Sequence, residues 1–227
     1  MKSIVKENFI NKSIGTLVNI LESFDKLPAL KISELVGDTA LIVVDMNNGF
    51  CNCGALYSPR MQGLIPEVSR IAHEFSKNED IPVVVVNDEH PKDSIEFNAR
   101  PIHCVSGSEE AKVISELDDI ENKIVVGKNS TNAFVSEKFK KVITKLHIRG
   151  IRKFVFIGDC TDICIFQAAI SMKTFFNDHN EEVEIIVPIS AIDTYDLDIA
   201  NHDGDLMNVV FLYSMMDNGI KVVKGLE

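Results

Sequence analysis

ALIVVD (40–45) and KFVFIGDCTDIC (153–164) decide how this chain folds, because each is a nearly unbroken apolar run that ends in reactive side chains. Four more such runs occur: IPVVVVN (81–87), KIVV (123–126), VEIIVP (183–188) and IKVV (220–223). All are rich in Val and Ile, as strands covered on both faces of a parallel sheet must be. Helical spacing separates most of them. Leu64, Ile65, Val68, Ile71, Ala72 and Phe75 form one apolar face, and Phe134, Val135, Phe139, Val142, Ile143 and Leu146 form another. A third helix starts near Thr161 and a fourth spans about 204–217. The alternation predicts an α/β fold, a doubly wound, mostly parallel six-stranded sheet with helices on both faces. Ligands of such sheets sit at the carboxyl ends of the strands.

Upstream, Ile10, Ile14, Leu17, Val18, Leu21 and Phe24 lie on one face of a helix over residues 8–24. LPALKISELVGD (27–38) has a proline and no clear period, and reads as a connector. Residues 1–36 are therefore expected to be a helical extension and 37–227 the main domain. An apolar stripe needs a cover, which the main domain or a neighbouring subunit of a homo-oligomer would provide.

The 227 residues carry a net charge of 23 − 34 = −11, which repels nucleic acid and anionic lipid. No apolar run reaches the length of about 18 residues that a membrane span needs. The N-terminal MKSIVKENFINKS lacks a continuous apolar segment and a small-residue cleavage site, so it does not read as a secretory signal. Five cysteines (51, 53, 104, 160 and 164) have no framework spacing. The expectation is a cytoplasmic protein with reduced thiols.

In a parallel sheet, four strand ends would share one edge. They bring Asp45, then Asp88 with His90, then Lys128, then the run Asp159 to Cys164. Alone, each has an ordinary role as a turn cap, a solvated lysine or a small core thiol. Together they compose a nucleophilic site. Thr161 and Asp162 read as helix-start residues, which places Cys164 in a first helical turn. The dipole there, with a nearby lysine, can lower a thiol pKa from about 8.5 to about 3.5–7.5. The turn's N–H groups can hold an oxyanion. Asp45 could take the thiol proton and pass it to a leaving amine.

Asp88, His90, Glu96 and His103 form a second set. Side chains two apart on an extended segment point the same way. This imidazole and carboxylate set suits a divalent transition metal, Zn, Mn or Fe, better than Cu(I). Cys51 and Cys53 form a CxC without a second soft pair, and read as loop thiols near the site mouth.

The segments LIVVDMNNGF (41–50), NDEHPKDSIEFNARPIHCVSG (87–107), GKNSTNAF (127–134) and GDCTDIC (158–164) resemble the isochorismatase-like cysteine hydrolases, and among them the nicotinamidase (pyrazinamidase) subgroup. The resemblance covers residues 40–227. It implies Asp45 as general base and acid, Lys128 as the catalytic lysine and Cys164 as a nucleophile that forms an acyl-thioester. It further implies a cis Asp159–Cys160 peptide bond and an oxyanion hole from the N–H groups of Cys160 and Cys164. Asp88, His90 and His103 would bind a metal that holds a pyridine nitrogen, with Glu96 a ligand as in some relatives only. Phe50 and Phe134 would contact the substrate ring. Two positions depart from the pattern: Cys160, where a small residue such as Ala is usual, and Arg100, where some relatives place an aromatic. The implied reaction is hydrolysis of a small amide, nicotinamide to nicotinate and ammonia, which would feed NAD salvage. Alternatives are another amidase or carbamoyl hydrolase on the same scaffold, or a non-catalytic binding protein. A Cys160–Cys164 redox pair would leave Asp45 and Lys128 unexplained.

Overall fold

The computed structural model describes residues 5–227; residues 1–4 of the extension lie outside the described residues. The strands are β1 (Thr39–Val44), β2 (Val83–Asp88), β3 (Ile124–Lys128), β4 (Lys153–Asp159), β5 (Glu184–Pro188), β6 (Ile192–Asp193) and β7 (Lys221–Val223). They form one sheet in the order β3-β2-β1-β4-β5-β7, with β6 paired to β4 beside that path, and every ladder is parallel. Each of the six expected runs is a strand. The seventh, β6, has two residues and is too short to leave a hydrophobic run in the sequence. The helices are α1 (Lys6–Phe24), the short α2 (Asn48–Cys51), α3 (Pro59–Ser76), α4 (Glu137–Ile148), α5 (Phe166–Asp178) and α6 (Gly204–Asp217).

The period of two along β1 and β4 sorts side chains between two cores. Ala40, Ile42, Val44, Phe154 and Phe156 pack with Phe139, Ile143, Ala168 and Met172 of α4 and α5. Leu41, Val43, Val155 and Ile157 pack with Val68, Ile71 and Phe75 of α3. Burial on both faces explains why these strands read as continuous apolar runs. At the end of β4, Gly158 has φ +112°, and a Cβ there would lie 2.1 Å from the Val44 carbonyl oxygen. Only glycine lets β4 run this close to β1 just before the reactive segment.

Helix α1 contains the expected stripe, but its cover is partial. Ile20 is buried, and Phe24 packs on the core together with Leu27 just beyond the helix, while Ile10, Ile14, Val18 and Leu21 are 43–57% exposed. The connector is more ordered than its sequence suggests. Leu30 N–H donates to Gly225 O (3.0 Å) and Ile32 N–H to Glu227 O (2.8 Å). In return Lys224 N–H donates to Pro28 O (2.8 Å) and Glu227 N–H to Leu30 O (2.9 Å). Such pairing is a backbone contact between distant segments and leaves no periodic trace. Removing residues 1–36 deletes these bonds and the buried Ile20 and Leu35. At about 1 kcal/mol per hydrogen bond and about 2 kcal/mol per buried side chain, the loss is about 8 kcal/mol and the melting temperature should fall by roughly 15–30 °C. An unchanged melting curve would refute this, and a changed mass in solution would show that a second copy covers the stripe. No helix among the described residues is long and apolar enough to cross a membrane.

Candidate active site

The register fixes what meets at the carboxyl edge. Asp88 lies opposite Lys128, Val44 opposite Gly158, and Asp159 opposite Asp193. Asp45, one residue past Val44, therefore stands beside Asp159. Asp45 itself has φ +53°, a left-handed backbone that Asp tolerates better than most residues and that turns the chain sharply off β1.

Lys128 is the hub. Its ammonium is 2.8 Å from Asp45 Oδ2, hydrogen-bonded to Asp88 Oδ1, and 3.9 Å from Cys164 Sγ. It is 2% exposed. Burial alone would lower its pKa, but the charges of Asp45, Asp88 and Cys164 hold it well above the lysine range, so it stays cationic. Burial pushes the Asp45 carboxyl up to about 7, against the pull of Lys128 and with a further push from Asp88. Burial would also raise Asp88, but Lys128, His103 and His90 hold it well below the usual carboxylate range.

Cys164 sits in a wide π-turn, Thr161–Ile165, that leads into α5. The expectation of a depressed thiol pKa is corrected here. Burial pushes the Cys164 thiol well up against the pull of Lys128, and the charges of Asp45 and Asp88 push it further the same way. A neutral resting thiol needs a base, and Asp45 beside it is poised near neutrality to serve. The Asp159–Cys160 peptide bond is cis, as the resemblance implied.

Donor atoms of Asp88, His90 and His103 all lie within 4.8 Å of one another. The Nε2 atoms of His90 and His103 are 3.4 Å and 3.6 Å from Asp88 Oδ2. Each ring is aimed from behind. His90 Nδ1 meets Asn129 Oδ1 at 2.7 Å, and His103 Nδ1 meets the Pro101 carbonyl oxygen at 2.7 Å. This leaves both Nε2 atoms facing the aspartate, the outer support that metal-binding histidines require. His90 Nε2 is buried without a hydrogen-bond partner among the described residues, so the set fits one divalent cation. Glu96 stands outside the group. Its carboxylate faces the Arg100 guanidinium at 3.7 Å instead.

A cavity of about 510 Å³ opens over Cys164 and is lined by Phe50, Asp88, Arg100, His103 and Asp159 among others. Phe50 lies 5.8 Å from the His103 ring, so it borders both the metal group and the cavity. The expectation for Phe134 is corrected: it does not line the cavity. It packs on Phe175 at 5.3 Å in the core, because the 3-10 turn Ala133–Val135 rolls it inward. Thr131, from the same loop, reaches the cavity instead. Cys51 is also corrected, being fully buried in the α3-side core rather than at the mouth, while Cys53 is exposed. All five cysteines are free thiols.

Sequence reasoning missed Asn47 and Asn129. Asn47 Nδ2 donates to the Asp88 and Ala111 carbonyl oxygens (3.1 and 3.0 Å), which pins the end of β2. Asn129 directly follows Lys128, and that adjacency was the available signal. Tyr195 also lines the cavity, from a segment far from the other site residues in sequence, and left no signal; Arg100, already marked as a departure from the family pattern, lines it too.

Three known proteins are similar to this chain. Nicotinamidase 1 of Arabidopsis thaliana is 28% identical over 214 residues, covering 82% of this chain and 86% of that protein. The structure of N-carbamoylsarcosine amidase from Thermoplasma acidophilum superposes with a TM-score of 0.67 at 25% identity, covering 83% of this chain and 96% of that one. The zinc complex of Pyrococcus horikoshii pyrazinamidase has a TM-score of 0.67 at 24% identity, over 83% and 99% of the two chains. Residues 39–215 match the isochorismatase domain, and with the strand-edge constellation of Asp45, Lys128 and Cys164 inside that span, the chain belongs to the isochorismatase domain family.

Proposed function

We propose that this protein hydrolyses a small amide, nicotinamide to nicotinate and ammonia, through an acyl-thioester on Cys164. The observation that carries the reading is the single buried Lys128 that joins Asp45, Cys164 and Asp88, so that the nucleophilic site and the metal group share one ammonium. Asp45 takes the thiol proton as the amide arrives. The sulfur attacks the amide carbon, and the N–H groups of Cys160 and Cys164 hold the charge that develops on the oxygen. Asp45 returns the proton to the nitrogen, and ammonia leaves. Water then releases the acid, with Asp45 as base. Lys128 stays charged throughout and keeps Asp45 oriented. Phe50 flanks the aromatic ring. Zn, Mn or Fe held by Asp88, His90 and His103 would supply a Lewis-acid contact for the pyridine nitrogen. The similarity to Nicotinamidase 1 supports this substrate; the amidase likeness keeps other carboxamides and carbamoyl compounds as the outcome to test.

The test is ammonia release from a panel of small amides by metal-loaded protein. Turnover of nicotinamide above other carboxamides is expected, and cleavage of a carbamoyl compound alone would reassign the substrate. The acid limb gives a second check. Asp45 accepts a proton only as a carboxylate, and its pKa is raised to about 7. Activity should therefore fall as pH drops through about 7, approaching about tenfold in kcat/KM per pH unit below it. A profile flat to about pH 5 would remove Asp45 as the base.

A further inference from the structure

The carboxyl edge carries one acidic side chain that neither the scheme above nor an ion pair uses. From β2 across to β6 the strands end in Asp88, Asp45, Asp159 and Asp193. Lys128 serves the first two. Arg60 bonds Asp193 at 2.7 Å. Among the described residues no cation forms an ion pair with Asp159, although the Lys128 charge reaches it at longer range. Asp159 is 1% exposed and lines the cavity over Cys164. Its Oδ1 has only the Cys160 thiol at 3.8 Å, and its Oδ2 has no hydrogen-bond partner among the described residues. Opposite, both Asp45 oxygens are likewise buried without a hydrogen-bond partner among the described residues, and Oδ2 has an ion contact with the Lys128 ammonium at 2.8 Å. An unpaired buried carboxyl is costly to keep, and polar atoms of this kind are as a rule satisfied by bound water.

We propose that Asp159 and Asp45 together bind the water that hydrolyses the thioester, with Asp159 as its positioning residue. The inference rests on the hydrolytic reading of the cavity. Burial, with the charge on Asp45, holds the Asp159 carboxyl well above the usual range. As an acid its O–H donates to the water oxygen, while the Asp45 carboxylate accepts a water proton. The steps balance. The water oxygen bonds to the acyl carbon as its proton passes to Asp45. The C–S bond then breaks with its electron pair on sulfur, which takes the proton back from Asp45. The free acid departs and the thiol is regenerated.

Acylation releases ammonia and deacylation releases the acid, so the two half-reactions can be timed separately. The experiment follows both products in rapid mixing of metal-loaded wild type, Asp159→Val and Asp159→Asn with nicotinamide. Asp159→Val should lower kcat about tenfold to hundredfold. It should show a burst of ammonia equal to the enzyme and accumulate a nicotinoyl adduct on Cys164 by mass spectrometry. Hydroxylamine, a nucleophile that needs no such positioning, should restore its turnover to near the wild-type rate. Asp159→Asn, which still hydrogen-bonds water, should stay within about threefold of wild type. Loss of the ammonia burst in Asp159→Val, no adduct, or no rescue by hydroxylamine would overturn the assignment. A stability arm needs no substrate. A carboxyl kept for catalysis leaves the melting temperature of Asp159→Val equal to or above wild type, and a fall of several degrees would make the residue structural. If wild type releases no ammonia from nicotinamide, the substrate reading fails by itself, and the same measurements on the amide it does cleave decide the role of Asp159.

Discussion

Cys164→Ala should lower kcat by about 10⁴-fold or more while the protein stays folded, since the nucleophile is one member of a unit that fails as a whole. The cysteine is only 7% exposed, and losing one sulfur from a core site costs about 1 kcal/mol, a shift of a few degrees in melting temperature. Cys160→Ala should be far milder, because Cys160 supplies its backbone N–H and alanine keeps that group. Equal losses at the two positions would favour a dithiol mechanism and remove Cys164 as a lone nucleophile. Lys128→Met gives a different signature. It leaves Asp45 and Asp88 buried against each other without their cation, which destabilises by about 3–5 kcal/mol as well as ending activity. Activity near wild type in Cys164→Ala, measured as ammonia release, would end the thioester scheme.

The apolar runs disclosed the sheet, because burial on both faces leaves a strand no polar residues to interrupt it. The same logic places Asp45, Lys128 and Cys164 on one edge, since parallel strands must end together. What the sequence hides is what depends on direction and depth. Phe134 is aromatic and beside Thr131, but whether a ring in a 3-10 turn points to a cavity or to Phe175 depends on a single rotation of the backbone. The Cys164 thiol illustrates depth. A helix start beside a lysine argues for a thiolate, yet full burial next to two carboxylates outweighs it, and burial of one position is not written in its neighbours. Glu96 is four residues before Arg100, a spacing that suits an ion pair as well as it suits a ligand set, and the fold takes the ion pair. The connector pairs with the C-terminal tail through main-chain hydrogen bonds, and those groups carry no sequence code.

His103→Ala should lose bound metal and nicotinamide hydrolysis together. His103 offers one of three donor atoms that lie within 4.8 Å of one another, and its imidazole is oriented by the Pro101 carbonyl oxygen at 2.7 Å. With His103 gone, Asp88 and His90 remain, too few to hold a transition metal tightly at neutral pH. A chelator should produce the same loss in the wild type, reversed when Zn, Mn or Fe is returned. Asn129→Ala tests the outer support. It removes the acceptor at 2.7 Å from His90 Nδ1, frees the ring to rotate, and should weaken metal binding about 10–100-fold without touching a ligand. Glu96→Gln should change metal content little, because its carboxylate is turned to Arg100. The order His103→Ala, then Asn129→Ala, then Glu96→Gln in metal retained, read by elemental analysis of purified protein, is the expected result. Metal content unchanged in His103→Ala would place the ion elsewhere. Full nicotinamide turnover by metal-free protein would leave the ring nitrogen to be held by the cavity walls alone, and would separate the Asp45, Lys128 and Cys164 chemistry from the metal group beside it.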